Sequence, residues 1–449
     1  MNSPIVPLSR RMAVAGTAVL LLLQQARADD NISMLRDAEI ETDLKAFETP
    51  VYRAAGLDPS ALTIYLVNDM QLNSFVAGGQ NIFMNVGTIM RADKPNQLVG
   101  IMAHETGHIA GGHIARSEDA MRKAEYEGMA AMALGLALAA VTGGAGAASL
   151  LGASGVADRA WLQYSVEQEA RADQAALTFL DRTHQSAKGL LDFFHILQQS
   201  EFMSGQQEIP YMRTHPLTEQ RIDYVREHVE SSPYSSNPDS PASVLMLQRM
   251  KAKLAGFLQD PQETLRQYPE SDTSEIARYA RAIAYYRIPD LAHALPAVEN
   301  LIHDFPNDPY YAELKGQMLF ENGRVSEAVE PYRRSSKLDP SSMLLRTELA
   351  QVEIESENPK LLTNARLNLE EVTRQEIQNA EAWRLLAIVY GRTNNLALAS
   401  LALAEQGAST GDHDMARHEA LRAVHMLPPG PARQRAQDIA DEAKRDNDQ

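Results

Sequence analysis

The chain has 449 residues, 44% of them hydrophobic and 22% charged, which suits two or three globular domains and excludes disorder as the main state. A formal net charge of −17 argues against a nucleic-acid partner and against electrostatic capture by anionic lipid. With no cysteine, the chain has neither a disulfide framework nor a thiol for lipid attachment.

The N-terminal segment reads as a secretory signal over residues 1–28. Arg10-Arg11 precede the apolar run Met12 to Leu23, and Ala26-Arg27-Ala28 forms an A-x-A cleavage pattern. That run is shorter than the roughly 20 residues an anchor needs. Cleavage predicts a periplasmic protein and, by removing Arg10, Arg11 and Arg27, takes the net charge from −17 to near −20. Next, Ala38 to Ala55 has the apolar spacing of an amphipathic helix, and strands are expected at Leu62 to Val67 and Asn81 to Val86, with Gly78-Gly79 between them. Pro95 suits a first helical position, Asp93 is the expected cap, and Leu98, Ile101, Met102 and Ile109 recur at helical spacing. Gly128 to Val156 is rich in Ala, Gly and Leu. Thr142-Gly143-Gly144-Ala145-Gly146 interrupts it, so two short buried helices or an interfacial hairpin beside the active site, with peripheral membrane contact, are expected rather than a membrane crossing.

The pattern stays helical to about Val229, and the Ser/Pro/Asn-rich stretch from Ser231 to Pro241 ends it. The expected organisation is therefore a mixed helix and strand domain over 29–230, a linker at 231–243 and a second domain over 244–449. Beyond the linker the chain repeats itself every 34 residues. Ala282 pairs with Gly316, Tyr286 with Phe320, Ala294 with Ala328, Pro306 with Pro340, and Gly316 with Ala350; Trp383, Ala387 and Tyr390, then Ala416, Ala420 and Pro428, mark less regular units. These are the small, aromatic and proline positions of tetratricopeptide repeats. Small residues let two antiparallel helices approach, the aromatic fills the gap, and proline stops the second helix. The fold class is α+β, mostly α, ending in a helical solenoid with a concave face.

The chemistry is concentrated at His104-Glu105-Thr106-Gly107-His108. An H-E-x-x-H on a helix stacks two imidazoles on one face, half of a catalytic zinc site. A third ligand is needed. A histidine at 114 would complete one known pattern, but position 114 is Ile, and the one-residue displacement turns His113 about 100° round the helix, which discounts it. The alternative is a carboxylate on the helix from Trp161 to Phe179, where Glu169 and Asp173 share a face: Glu169 as the metal ligand, Asp173 as acceptor of a ligand histidine's second N–H. Glu167 reads as structural.

His104-Glu105-x-x-His108, Glu169-x-x-Ala172-Asp173 and Thr214-His215-Pro216 together resemble the HtpX and CAAX prenyl protease group of gluzincin metallopeptidases. Asn73-x-Phe75-x-x-Gly78-Gly79 fits the same group, while Arg171 replaces an acidic residue usual before Ala172. The resemblance implies a gluzincin fold, one Zn2+ per chain held by His104, His108 and Glu169, and peptide hydrolysis with Glu105 as general base. His215 is the best candidate donor to the developing oxyanion and Arg221 the weaker second, while the resemblance implies that His215 can instead fill the fourth zinc position and hold the enzyme inactive. It also implies that Phe75, Val76, Ala77 and Gly78 offer a strand edge to an extended peptide. With a signal segment before and repeats after, the implied partners are unfolded or stalled outer-membrane β-barrel proteins and their assembly machinery. The competing expectations are a periplasmic chaperone or scaffold with little proteolysis, and a membrane-embedded protease that needs Gly128 to Val156 to span the bilayer.

Overall fold

The computed structural model describes residues 33–113, 166–204 and 209–447; the expected signal segment and the Gly128 to Val156 region lie outside them. Among the described residues, packing divides the chain into one unit up to residue 297 and a second from residue 298.

The first unit opens with strand β1 (Met34–Leu35) and helix α1 (Ala38–Ala54), whose N-terminus is capped by the Asp37 carboxylate accepting from the Ile40 N–H. Strands β2 (Thr63–Val67), β3 (Ser74–Ala77) and β4 (Asn81–Asn85) complete a four-stranded sheet in the order β1-β2-β4-β3. β2 and β4 run parallel and the outer pairings are antiparallel, so β3 is one edge. The two-residue alternation sends Ile64, Leu66, Ile82 and Met84 into the core. It stacks Tyr65, Phe83 and Phe75 on the opposite face, with ring centroids 5.0 and 4.9 Å apart.

A short helix α2 (Val86–Arg91) leads to α3 (Pro95–Gly111), the buried centre of the unit. Pro95 takes the first helical position as expected, but Asp93 is not the cap: the Gln97 side chain reaches back and accepts from the backbone N–H of Asp93 at 2.6 Å and of Lys94 at 3.2 Å. Helix α4 (166–182) and helix α5 (Lys188–Ser204) flank α3 at backbone distance. A Cβ on Gly100 would lie 2.7 Å from the Leu190 nitrogen, and one on Gly107 2.7 Å from the Ala172 carbonyl oxygen. Glycine at these positions is what lets the three helices close up. Helices α6 (Pro210–Thr214) and α7 (Glu219–Ser231) follow, the latter capped by the Thr218 hydroxyl.

Packing continues across 231–243. Helices α8 (Pro241–Leu258), α9 (Pro261–Gln267) and α10 (Glu275–Arg287) lie in the same unit as α1. They are joined to it by buried polar contacts: Arg249 Nε to Glu39 Oε1 at 2.5 Å, Tyr279 Oη donating to Glu39 Oε2 at 2.7 Å, and Lys253 Nζ to Asp37 Oδ2 at 2.8 Å. Burial would raise the Glu39 pKa, but Arg249, Lys253 and Tyr279 together hold it below the ordinary carboxylate range.

The division between units falls within α11 (Leu291–Asp304). The second unit continues with α12 (Pro309–Glu321), α13 (Val325–Leu338), α14 (Met343–Glu355), α15 (Leu362–Gln375), α16 (Ala380–Arg392), α17 (Leu396–Thr410), α18 (His413–Met426) and α19 (Pro431–Asn447). Each packs on its sequence neighbour, as tetratricopeptide helices do. The starts of α10, α12 and α14, at Glu275, Pro309 and Met343, fall 34 residues apart. Ala294, Ala328 and Ala350 are buried at the helix contacts, and a Cβ on Gly316 would strike the Tyr332 ring at 2.7 Å. The mostly helical fold with a small sheet and tetratricopeptide pairs matches the fold class expected. Among the described residues no helix is long and apolar enough to cross a membrane.

Candidate metal centre

Helix α3 presents His104, Glu105 and His108; α4 presents Glu169 and Asp173; His215 closes α6, its backbone N–H bonded to the Tyr211 carbonyl. Four of these side chains converge. His104, His108, Glu169 and His215 are all buried, and one ligand atom from each lies within 4.8 Å of the others. The His104 and His108 Nε2 atoms are 3.1 Å apart, and each is 3.2 Å from a Glu169 oxygen. His215 Nδ1 stands 3.1 Å from Glu169 Oε1 and 3.5 Å from His104 Nε2. A tetrahedron with metal–ligand bonds of about 2.0–2.1 Å has edges of about 3.3–3.4 Å, close to the 3.1–3.5 Å contacts in this group, so the donor set fits a cation.

The tautomers agree with that fit. Asp173 Oδ1 lies 2.9 Å from His104 Nδ1, and a carboxylate only accepts, so Nδ1 carries a proton and Nε2 is the nitrogen turned to the cluster. Asp173 is held in turn by Arg221, whose Nε and Nη2 donate to its two oxygens at 2.7 and 2.9 Å while Nη1 reaches Glu169 at 2.9 Å and the Pro216 carbonyl at 2.9 Å. Burial would raise both acids, but Arg221 holds Asp173 below its usual range, and His215 with the other imidazoles holds Glu169 well below its own. Burial presses down on both helix imidazoles. It takes His108 to about 3, whereas hydrogen bonds with Asp173 and Glu169 outweigh it at His104 and raise that ring to about 9.

Glu105 is fully buried on the same side, its pKa raised by that burial, and neither carboxylate oxygen has a hydrogen-bond partner among the described residues. His215 Nε2 is 3.8 Å away. An acceptor left bare in a buried site is arranged for a proton-bearing group that arrives from outside. The Tyr211 ring stacks on His215 at 4.6 Å and fixes its plane.

Residues 36–229 match the model of peptidase family M48. This segment is an M48 metallopeptidase domain. The chain is 23% identical over 357 residues to the beta-barrel assembly-enhancing protease of Escherichia coli, covering 78% of this chain and 72% of that one. It is 23% identical over 341 residues to a putative beta-barrel assembly-enhancing protease of Vibrio cholerae, covering 75% and 69%. A solved tetratricopeptide protein, YrrB, aligns at 19% identity over 38% of this chain and 89% of its own, with a TM-score of 0.33.

The M48 domain brings together every residue singled out for the centre; the clustered ligands do not include Phe75 to Gly78. Those lie on β3 and the turn after it, where Gly78 and Gly79 take φ of 58° and 96°; β3 packs against α3 and α6, the helices that carry His108 and end before His215. Arg221 differs from expectation. Its guanidinium is committed to Asp173, Glu169 and Pro216, so it braces the carboxylates and has little left for an oxyanion. Three participants escaped sequence reasoning. Glu48 on α1 accepts from the Thr106 hydroxyl, Tyr211 stacks on His215, and His113 lies 3.0 Å from the outer nitrogen of His108. Two of them had a readable signal: Tyr211, one turn before His215 on a short helix, and His113, directly after the glycine pair that ends α3.

Proposed function

We propose that this chain is a periplasmic zinc endopeptidase acting on unfolded or stalled outer-membrane β-barrel proteins, with its repeats engaging those substrates or their assembly machinery. The convergence of two imidazole nitrogens, a carboxylate and a third imidazole beside Glu105, whose carboxylate has no hydrogen-bond partner among the described residues, carries this reading. In it, His104, His108 and Glu169 hold the ion; two imidazoles and one carboxylate favour zinc. The bound ion supplies Lewis acidity, lowering the pKa of water and polarising a peptide carbonyl. Glu105 takes the water's proton as the carbonyl is attacked and returns it to the leaving nitrogen, a role suited to a carboxylate whose burial raises its basicity. Asp173 fixes the His104 tautomer and Arg221 anchors Asp173 and Glu169.

His215, with Nδ1 3.1 Å from Glu169 and 3.5 Å from His104 Nε2, would compete with a reacting water for a place on the ion. Its position supports the inhibitory role over the donor role: the ring must swing off before turnover, which restrains a protease whose specificity is low. The edge of β3, unpaired among the described residues, supports substrate binding by strand addition at Phe75, Val76, Ala77 and Gly78, where backbone pairing supplies affinity with little sequence preference. The metallopeptidase part extends to about residue 230 and the repeats from about residue 244. The periplasmic setting rests on the A-x-A signal pattern, and the β-barrel substrates on the relatives' names.

The test compares cleavage of a urea-denatured outer-membrane β-barrel protein with that of a folded soluble protein. The proposal expects cut products from the first alone, and none with Glu105→Gln. Binding without cleavage by the wild type would transfer the function to a scaffold acting through the repeats.

A further inference from the structure

Helix α3 does not continue past Gly111. Gly112 takes the left-handed conformation at φ 61°, its N–H closing on the Ile109 carbonyl, and the chain turns back so that His113 folds over the last turn of the helix. A Cβ at position 111 would stand 2.9 Å or less from three atoms of the His113 ring, so the two glycines do separate things: Gly112 makes the turn and Gly111 leaves room for the imidazole. His113 is 3% exposed, its Nδ1 is 3.0 Å from His108 Nδ1, and the rings meet edge-on at 82°.

We propose that His113 is the positioning residue of His108, the counterpart of Asp173 behind His104. The inference rests on the cluster being a metal centre. His108 directs Nε2 at Glu169 and His104, and a nitrogen that binds a cation offers its lone pair, so the His108 proton must sit on Nδ1. Two nitrogens 3.0 Å apart need one donor and one acceptor; His108 donates, His113 Nδ1 accepts, and the His113 proton sits on Nε2. The two ligand imidazoles are thereby braced differently: His104 leans on a carboxylate that is itself paired with Arg221, His108 on a second imidazole. The Gly111-Gly112-His113 turn sets the second.

The test is Zn2+ affinity of the full chain, measured by competition with a chromophoric chelator, for wild type, His113→Phe, His113→Asn and Gly111→Ala, with melting of the metal-free forms as a check on folding. Phenylalanine keeps the ring and deletes the acceptor; asparagine places an oxygen near the lost Nδ1. Loss of an outer-shell partner weakens metal binding about 10–100-fold. His113→Phe and Gly111→Ala should fall in that range and His113→Asn should stay within a few-fold of wild type. Equal affinity for His113→Phe and wild type, or equal weakening by Phe and Asn, overturns the inference and leaves the metal centre standing. A wild type that takes up no Zn2+ overturns the metal-centre reading itself and this inference with it.

Discussion

Gly107, inside the H-E-x-x-H run, sets how near α4 approaches α3. In Gly107→Ala the new Cβ would lie 2.7 Å from the Ala172 oxygen, 3.0 Å from its Cα and 3.2 Å from its carbonyl carbon, where ordinary contact begins at 3.4 Å. Backbone atoms cannot rotate aside, so α4 has to retreat by ~0.5–0.7 Å. Ala172 sits between Glu169 and Asp173, and the retreat takes both from the imidazoles they face at 3.2 and 2.9 Å. Metal sites tolerate about 0.2 Å in ligand distance, so the shift should cost at least about tenfold in Zn2+ affinity. Overpacking should cost about 1–3 kcal/mol, partly offset by about 0.8–1 kcal/mol of better helix propensity. Chelator competition on the full chain reads the first quantity and thermal melting with and without Zn2+ the second. A Gly107→Ala protein that binds Zn2+ as tightly as wild type would refute the claim that backbone contact between α3 and α4 assembles the site.

Gly391→Ala is the opposite case: no atom lies within 4 Å of its would-be Cβ on α16, so it should stabilise the repeat unit by about 0.5–1 kcal/mol in denaturant melts. Arg221→Ala leaves Asp173 and Glu169 buried without their cation and should cost about 3–5 kcal/mol, read by denaturant unfolding of the first unit. Burial raises Glu48 to about 8, so folding takes up a proton between its ordinary pKa of 4.5 and about 8; that contribution is complete below pH 4.5 and is lost as pH rises through 8, at about 1.4 kcal/mol per pH unit. Glu48→Gln keeps an acceptor for Thr106 and cannot ionise. It should melt like wild type at pH 5 and above it at pH 8, and parallel pH profiles for the two would contradict the buried protonated acid.

What was legible in the sequence was local or periodic. Two histidines four apart on a proline-started helix, and Glu169 and Asp173 four apart on another, are one-face spacings that survive any detail of packing. The repeats announce themselves through Ala294, Ala328 and Gly316, because helix pairs cannot close over larger side chains there. Interactions over long sequence separation were not legible. The Glu39–Arg249 ion pair spans 210 residues, and nothing near either residue signals that α8 packs into the unit of α1. The two residues of β1 form a strand only because Leu66 and Val67 receive them. His113 was set aside by assuming the helix continues, although Gly111-Gly112 already carried the chemistry of a helix end. Asp93 lost the cap to Gln97, whose longer side chain reaches both N–H groups ahead of Pro95.

The most direct measurement is Zn2+ content together with chelator-reversible casein cleavage by the purified mature chain, Glu105→Gln and His215→Ala. The account predicts one Zn2+ per chain in wild type, cleavage abolished by Glu105→Gln with the ion retained, and cleavage raised several-fold by His215→Ala as a place on the ion opens. Cleavage that survives Glu105→Gln, or a chain that binds no Zn2+, would contradict it.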